Sequence, residues 1–191
     1  MSDLIHKPDQ SVTCPDTALA MLKEGNRRFV SGELMPKDYK AALAVTKDAQ
    51  KPFACIVTCA DSRTCPEQFF DQSIGDIFVC RNAGNVADAS VVGSLEFAVG
   101  VLGAVVVAVV GHTKCGAVYN AYDGTQVPWP SLQGVLDGIN ANVKGSADKE
   151  AGAADNVAAQ VAMLKENAVI KDKGALVVPA FYDIATGEVT W

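Results

Sequence analysis

The chain has 191 residues, 49% hydrophobic and 20% charged, which is enough for one domain with a sizeable core. A formal net charge of −6 leaves no basic footprint for a nucleic-acid partner. The longest apolar run, residues 99–111, is too short to span a membrane, and MSDLIHKPDQ lacks the basic and apolar regions of a signal peptide.

Residues 1–15 are polar, carry Pro8 and Pro15, and read as a loose arm. DTALAMLKEGNRRFVSGE, residues 16–33, has helical periodicity, with Asp16 and Thr17 as candidate caps and Gly25 or Gly32 as a candidate end. Residues 34–52 form a polar connection with some helical content. PFACIVTC, 52–59, is a short continuous apolar run, as expected of a strand buried on both faces. A short helix from Pro66, a strand over 76–82 and a helix over 89–103 follow. The next strand, AVVVAVVGH over 104–112, is the strongest in the chain. Helices are predicted at 115–122, 131–143 and 153–169, then a closing strand and a hairpin-like turn around Thr186–Gly187. Strands alternating with helices predict an α/β fold with a mainly parallel sheet.

Two predicted strands end on metal-competent residues, Cys59 and His112, and Cys115 follows His112 by three. In open α/β sheets ligands gather beyond the carboxyl ends of strands. Two thiolates and an imidazole suit Zn²⁺, and three protein ligands leave a fourth position open for catalysis. On spacing alone, Cys59 reads equally well as a buried core thiol. Gly111 and Gly116 flank the His112–Cys115 turn and are read as allowing tight backbone there. A helix starting at Cys115 would favour its thiolate. Asp61 and Arg63 stand just past Cys59: as a plain surface pair they are worth little, but beside a metal Arg63 would hold Asp61 ionised and oriented toward a metal-bound water. The remaining cysteines form no secreted-type framework, so reduced thiols in a cytoplasmic setting are expected, with Cys55 and Cys80 as packing.

The blocks CADSRTCPEQFFDQSIGDIFVCRNAGN and GHTKCGAV, with EGNRRFVSGE and YDIATGEVTW, resemble the β-class carbonic anhydrases over roughly residues 17–191. The resemblance implies a single domain over 1–191, with 1–35 as an N-terminal helical arm beside a central sheet flanked by helices. It implies Cys59, His112 and Cys115 as ligands of one Zn²⁺ per subunit, and Asp61 and Arg63 as a catalytic dyad. The implied reaction is reversible hydration of CO2 to bicarbonate and a proton by zinc-bound hydroxide. It implies substrate-binding roles for Gln50, Phe78, Phe97 and the Gly116 N–H, and a homodimer or higher homo-oligomer with no nucleic acid and no membrane. By residue type alone, Gln50 is also a solvated loop residue and the two phenylalanines are core aromatics. Ile56 stands where one branch of the family carries the Trp of a bicarbonate switch, which points to the open form, with Asp61 off the metal. His6 reads as a solvated tail residue rather than a proton carrier. The three-histidine zinc sites of other carbonic anhydrases keep a +2 charge and bring bound water to about pH 7. Two thiolates cancel that charge, so activity is expected to rise toward alkaline pH. Hydrolysis of carbonyl sulfide or carbon disulfide on the same fold is the alternative enzyme reading. A structural zinc site or scaffold role is the non-catalytic one.

Overall fold

A computed structural model of the chain describes residues 11–191; His6 lies outside the described residues. The strongest apolar runs make the middle of the sheet. β1 (Ala54–Cys59) and β3 (Val106–His112) are buried at every position, as continuous apolar strands with both faces covered must be. Their alternation divides the core. Cys55, Val57, Val107 and Val109 face one side, and Ala54, Ile56, Val106, Ala108 and Val110 face the other. β2 (Ile77–Asn82) is mostly half-buried and forms one edge. β4 (Leu176–Tyr182) and the short β5 (Val189–Thr190) complete the order β2-β1-β3-β4-β5. All pairings are parallel except β4 with β5, which closes antiparallel through the turn at Gly187.

β1 connects to β2 on one side, and the chain then crosses back over β1 to enter β3 on the other. The direction of winding therefore changes between β1 and β3, and a crevice opens there at the carboxyl ends of the strands. Cys59 and His112 terminate those two strands.

Helices cover both faces. α1 (Pro15–Ser31) seats Ala18 and Leu22 in the core and reaches α3 (Pro66–Phe69) so closely that a Cβ on Gly25 would stand 1.8 Å from the Phe70 carbonyl oxygen. It is not capped by Asp16 or Thr17. The helix starts one residue earlier with Pro15 at its first position, where a missing N–H costs nothing, and Gly32 ends it in the left-handed region. α2 (Tyr39–Thr46) is the helical part of the polar connection, capped by Asp38. The opposite face carries α4 (Ala89–Gly100), α7 (Lys149–Lys165) and α8 (Ala168–Asp172). The last two replace the single helix expected over 153–169. Asn167 leaves the helical region, and its side chain accepts the Val169 and Ile170 N–H groups, which starts a new helix. α5 (Gly116–Tyr122) and α6 (Pro130–Val143) join α7 around a third cluster that contains Cys59 and Cys115.

Candidate metal centre

Cys59 Sγ, Cys115 Sγ and a ring nitrogen of His112 lie within 4.8 Å of one another. β1 supplies Cys59, β3 supplies His112, and Cys115 is the residue preceding α5. All three side chains are buried. His112 Nδ1 lies 2.9 Å from the Thr113 carbonyl oxygen, which can only accept, so the proton sits on Nδ1. That leaves the Nε2 lone pair buried with no hydrogen-bond partner. An acceptor of this kind facing two sulfurs 4.0 Å apart is the opening a soft-leaning dication fills. Ligand atoms around one tetrahedral zinc stand about 3.5–4 Å apart, so the donor set fits Zn²⁺ in kind and the two sulfurs fit it in spacing.

The two thiols differ. Cys59 is held well below the ordinary thiol range, chiefly by the hydrogen bond from Cys115, against its own burial. Cys115 is pushed up by its contact with Cys59 and by burial. The amides of Val118 and Ala117 pull Cys115 the other way, as the start of a helix should, but they are outweighed. The amides at the start of α5 thus act on Cys115 in the direction expected of a helix start, while the contact with Cys59 ties the protonation of the two sulfurs together.

Asp61 lies on the turn after β1. Its Oδ1 accepts the Arg63 backbone N–H and Nε–H, both at 2.9 Å, and its Oδ2 accepts from Arg63 Nη2 at 2.7 Å. Arg63, above all by its side-chain bonds, holds the carboxyl well below the usual carboxylate range. Asp61 does not belong to the three-residue ligand cluster.

The other predicted residues are not members of this ligand cluster, although Gly116 directly follows Cys115. Gln50 is exposed in the connection between α2 and β1. Phe78 is half-buried on β2, and Phe97 is 46% exposed on α4. Gly116 is exposed at the first position of α5. The reading of the two glycines is also corrected. The left-handed residue of the 113–115 turn is Lys114, at φ 56°. Gly111 is part of β3, and a Cβ there would meet Val157 Cγ2 at 2.5 Å, so it serves close packing against α7. Gly116 has open space around it.

Several residues that support the site were not singled out. Arg81, from β2, donates to the Cys59 carbonyl oxygen at 3.1 Å and to that of Asp61 at 2.8 Å. Thr64 Oγ1 lies 2.9 Å from the same two oxygens. Together they fix the turn that carries Asp61. Arg81 lies inside the RNAGN block, but a base one residue from the end of an edge strand has no local mark of its role.

Residues 54–189 match the family model for carbonic anhydrase. The chain belongs to the β-carbonic anhydrase family. Carbonic anhydrase 2 of Mycobacterium tuberculosis is 44% identical over 139 residues, which make up 69% of this chain and 65% of that relative. The carbonic anhydrase of Mycolicibacterium smegmatis is 40% identical over 133 residues, 68% of this chain and 65% of the relative. The chain thus spans just under two thirds of the length of these curated relatives. The solved structures of two tetrameric β-carbonic anhydrases from Sordaria macrospora are similar at TM-score 0.69 and 25% identity, over 92% of this chain and 91% of theirs. A β-carbonic anhydrase from Coccomyxa, solved with acetazolamide, is similar at TM-score 0.69 and 26% identity, covering 90% of this chain and 85% of that one. The α/β fold read from the alternation of strands and helices is the β-carbonic anhydrase fold.

Proposed function

We propose that the chain catalyses the reversible hydration of CO2 to bicarbonate with one Zn²⁺ per subunit held by Cys59, His112 and Cys115. The convergence of those three buried donors on one point, with a free His112 Nε2 lone pair, carries the proposal. When bound, the ion supplies Lewis acidity and a water nucleophile at working pH. The chain's own groups do the rest. Asp61 is ionised, so it accepts and never donates. Arg63 occupies Oδ1 twice and Oδ2 once, which leaves an Oδ2 lone pair to orient an O–H of the attacking water and to refuse ligands that have no proton to give. Arg81 and Thr64 keep that carboxylate in place through the backbone. The Gly116 N–H, at the first turn of α5, has no acceptor within its helix and is assigned to substrate oxygen.

Gln50, Phe78 and Phe97 are assigned to a CO2 pocket shared between subunits of a homodimer or larger homo-oligomer. The exposure of Gln50 and Phe97 in a single chain supports this reading, as does the tetrameric state of the Sordaria relatives. Six free cysteines suit a reducing, cytoplasmic setting. No helix among the described residues is long and apolar enough to cross a membrane.

The deciding experiment measures zinc content and CO2 hydration on the wild type and Cys59→Ala, with carbonyl sulfide hydrolysis in parallel. About one zinc per chain and rapid hydration are expected, with both lost in Cys59→Ala. A zinc-loaded wild type that turns over carbonyl sulfide faster than CO2 would replace this reading with the hydrolase.

A further inference from the structure

Cys59 Sγ accepts a third-party hydrogen bond, from the Gly84 N–H at 3.4 Å. That amide belongs to the connection between β2 and α4 and is held there under constraint. Gly84 sits at φ 77°, and a Cβ would stand 2.4 Å from Ile139 Cδ1. Two side chains of α7 grip the connection from the opposite side. Asn156 is fully buried and donates from Nδ2 to the Gly84 carbonyl oxygen at 2.9 Å. Gln160, one turn on and also buried, accepts the Ala87 N–H on Oε1 at 3.0 Å. Asn156 Oδ1 is itself fixed by Asn142 Nδ2 at 3.0 Å and Gln160 Nε2 at 3.4 Å.

Packing alone does not call for these amides. The buried face of α7 is otherwise made of Gly152, Ala153, Val157, Val161 and Leu164, and a Leu at 156 or 160 would avoid burying a polar group. Both amides hold the backbone segment whose Gly84 N–H reaches Cys59 Sγ. A sulfur that accepts an N–H bond is a weaker electron donor than one that does not, so whatever aims the Gly84 N–H tunes the ligand.

We propose that Asn156, assisted by Gln160, is a positioning residue of the metal centre: by fixing the 84–87 backbone it directs the Gly84 N–H onto Cys59 Sγ and sets the donor strength of that thiolate. The inference rests on the metal-site reading above and adds a control element 97 residues away in sequence from the ligand it acts on.

The test uses the full chain loaded with Co²⁺ in place of Zn²⁺, whose sulfur-to-cobalt charge-transfer band reports thiolate donor strength. Asn156→Leu and Gln160→Leu are compared with wild type and with Leu22→Ala, which loosens the core from the other face of the sheet. Both α7 variants are expected to move the band to longer wavelength, as a thiolate of greater donor strength does. Leu22→Ala should leave the band where it is. A band at the wild-type wavelength in folded Asn156→Leu overturns the proposal. If that variant does not fold, an unmoved band in Gln160→Leu overturns it equally. A wild type with no cobalt–thiolate band overturns the metal reading as well, whereas a wild-type band with unmoved variants overturns this inference alone.

Discussion

Asp61 shows how one side chain is set by its neighbours. With Arg63 on both oxygens, the carboxylate is ionised across the whole working range. Its folded-state pKa is depressed, so the charged form persists upward from acid and is lost only as pH falls. Its titration therefore does not shape a profile between pH 6 and 9. Asp61→Asn is expected to keep its zinc and lose hydration rate by about a hundredfold, while the rise toward alkaline pH keeps its midpoint. Zinc content, stopped-flow rates and the pH profile check this together; zinc retained with full activity removes Asp61 from the mechanism. On the proposed zinc site the activity is expected to rise toward alkaline pH, because two thiolates would offset the charge of the cation, and a flat hydration profile over the same range would count against it.

Two contacts between elements carry measurable weight. Asp71, fully buried at the exit of α3, receives Arg28 Nε of α1 at 2.7 Å, the Met35 N–H at 3.1 Å, and Lys37 Nζ. Burial alone would push its carboxyl up, but Lys37, then Arg28 and the Met35 amide, outweigh it and hold the group below its ordinary value. Its stabilisation is therefore present above the unfolded-state value of about 3.9 and drains away as pH falls. Asp71→Asn leaves two cations without their anion and should cost about 3 kcal/mol near neutrality. The loss should shrink in acid, and denaturant melts at pH 7 and pH 3 would show whether the two proteins converge. On the other face, Gly111→Ala drives a methyl into Val157 and should cost about 1–3 kcal/mol by pushing α7 off β3. Thermal melts read that directly, and a melting temperature unchanged from wild type would mean that α7 yields freely. Local pattern made β1 and β3 legible, because strands covered on both faces are apolar throughout. It did not show the break at Asn167, where a side-chain cap inside a helix-compatible run decides the matter, nor the use of Gly111, whose neighbour lies on another element.

At the scale of the whole molecule, several large apolar side chains stand exposed on a single chain. Val30, Leu34, Tyr39, Leu43, Val45 and Ile74 are each 39–59% exposed along α1, α2 and the segment before β2. A second copy of the chain is the expected cover, in keeping with the proposed oligomer. Sedimentation should give a mass at least twice 20.0 kDa. Leu43→Asp combined with Val45→Asp should shift the protein toward monomer and lower hydration with it, since Gln50 and Phe97 then face water. A double variant of unchanged mass would place the interface elsewhere.

The sequence by itself determined which chemistry was on offer: Cys59, His112 and Cys115 at element ends, an Asp and an Arg two and four residues past the first, and an α/β alternation in which strand ends are where ligands gather. These are local properties, set by residue type and by spacing over a few positions. Only the tertiary structure decided that β1 and β3 are neighbours with the winding reversed between them, so that donors more than fifty residues apart share one buried point. It also decided that Arg81, Gly84 and Asn156 stand behind Cys59. Each of these depends on which side chain meets which across the sheet and its helices. That is settled by packing among distant residues, and no periodicity in the chain records it.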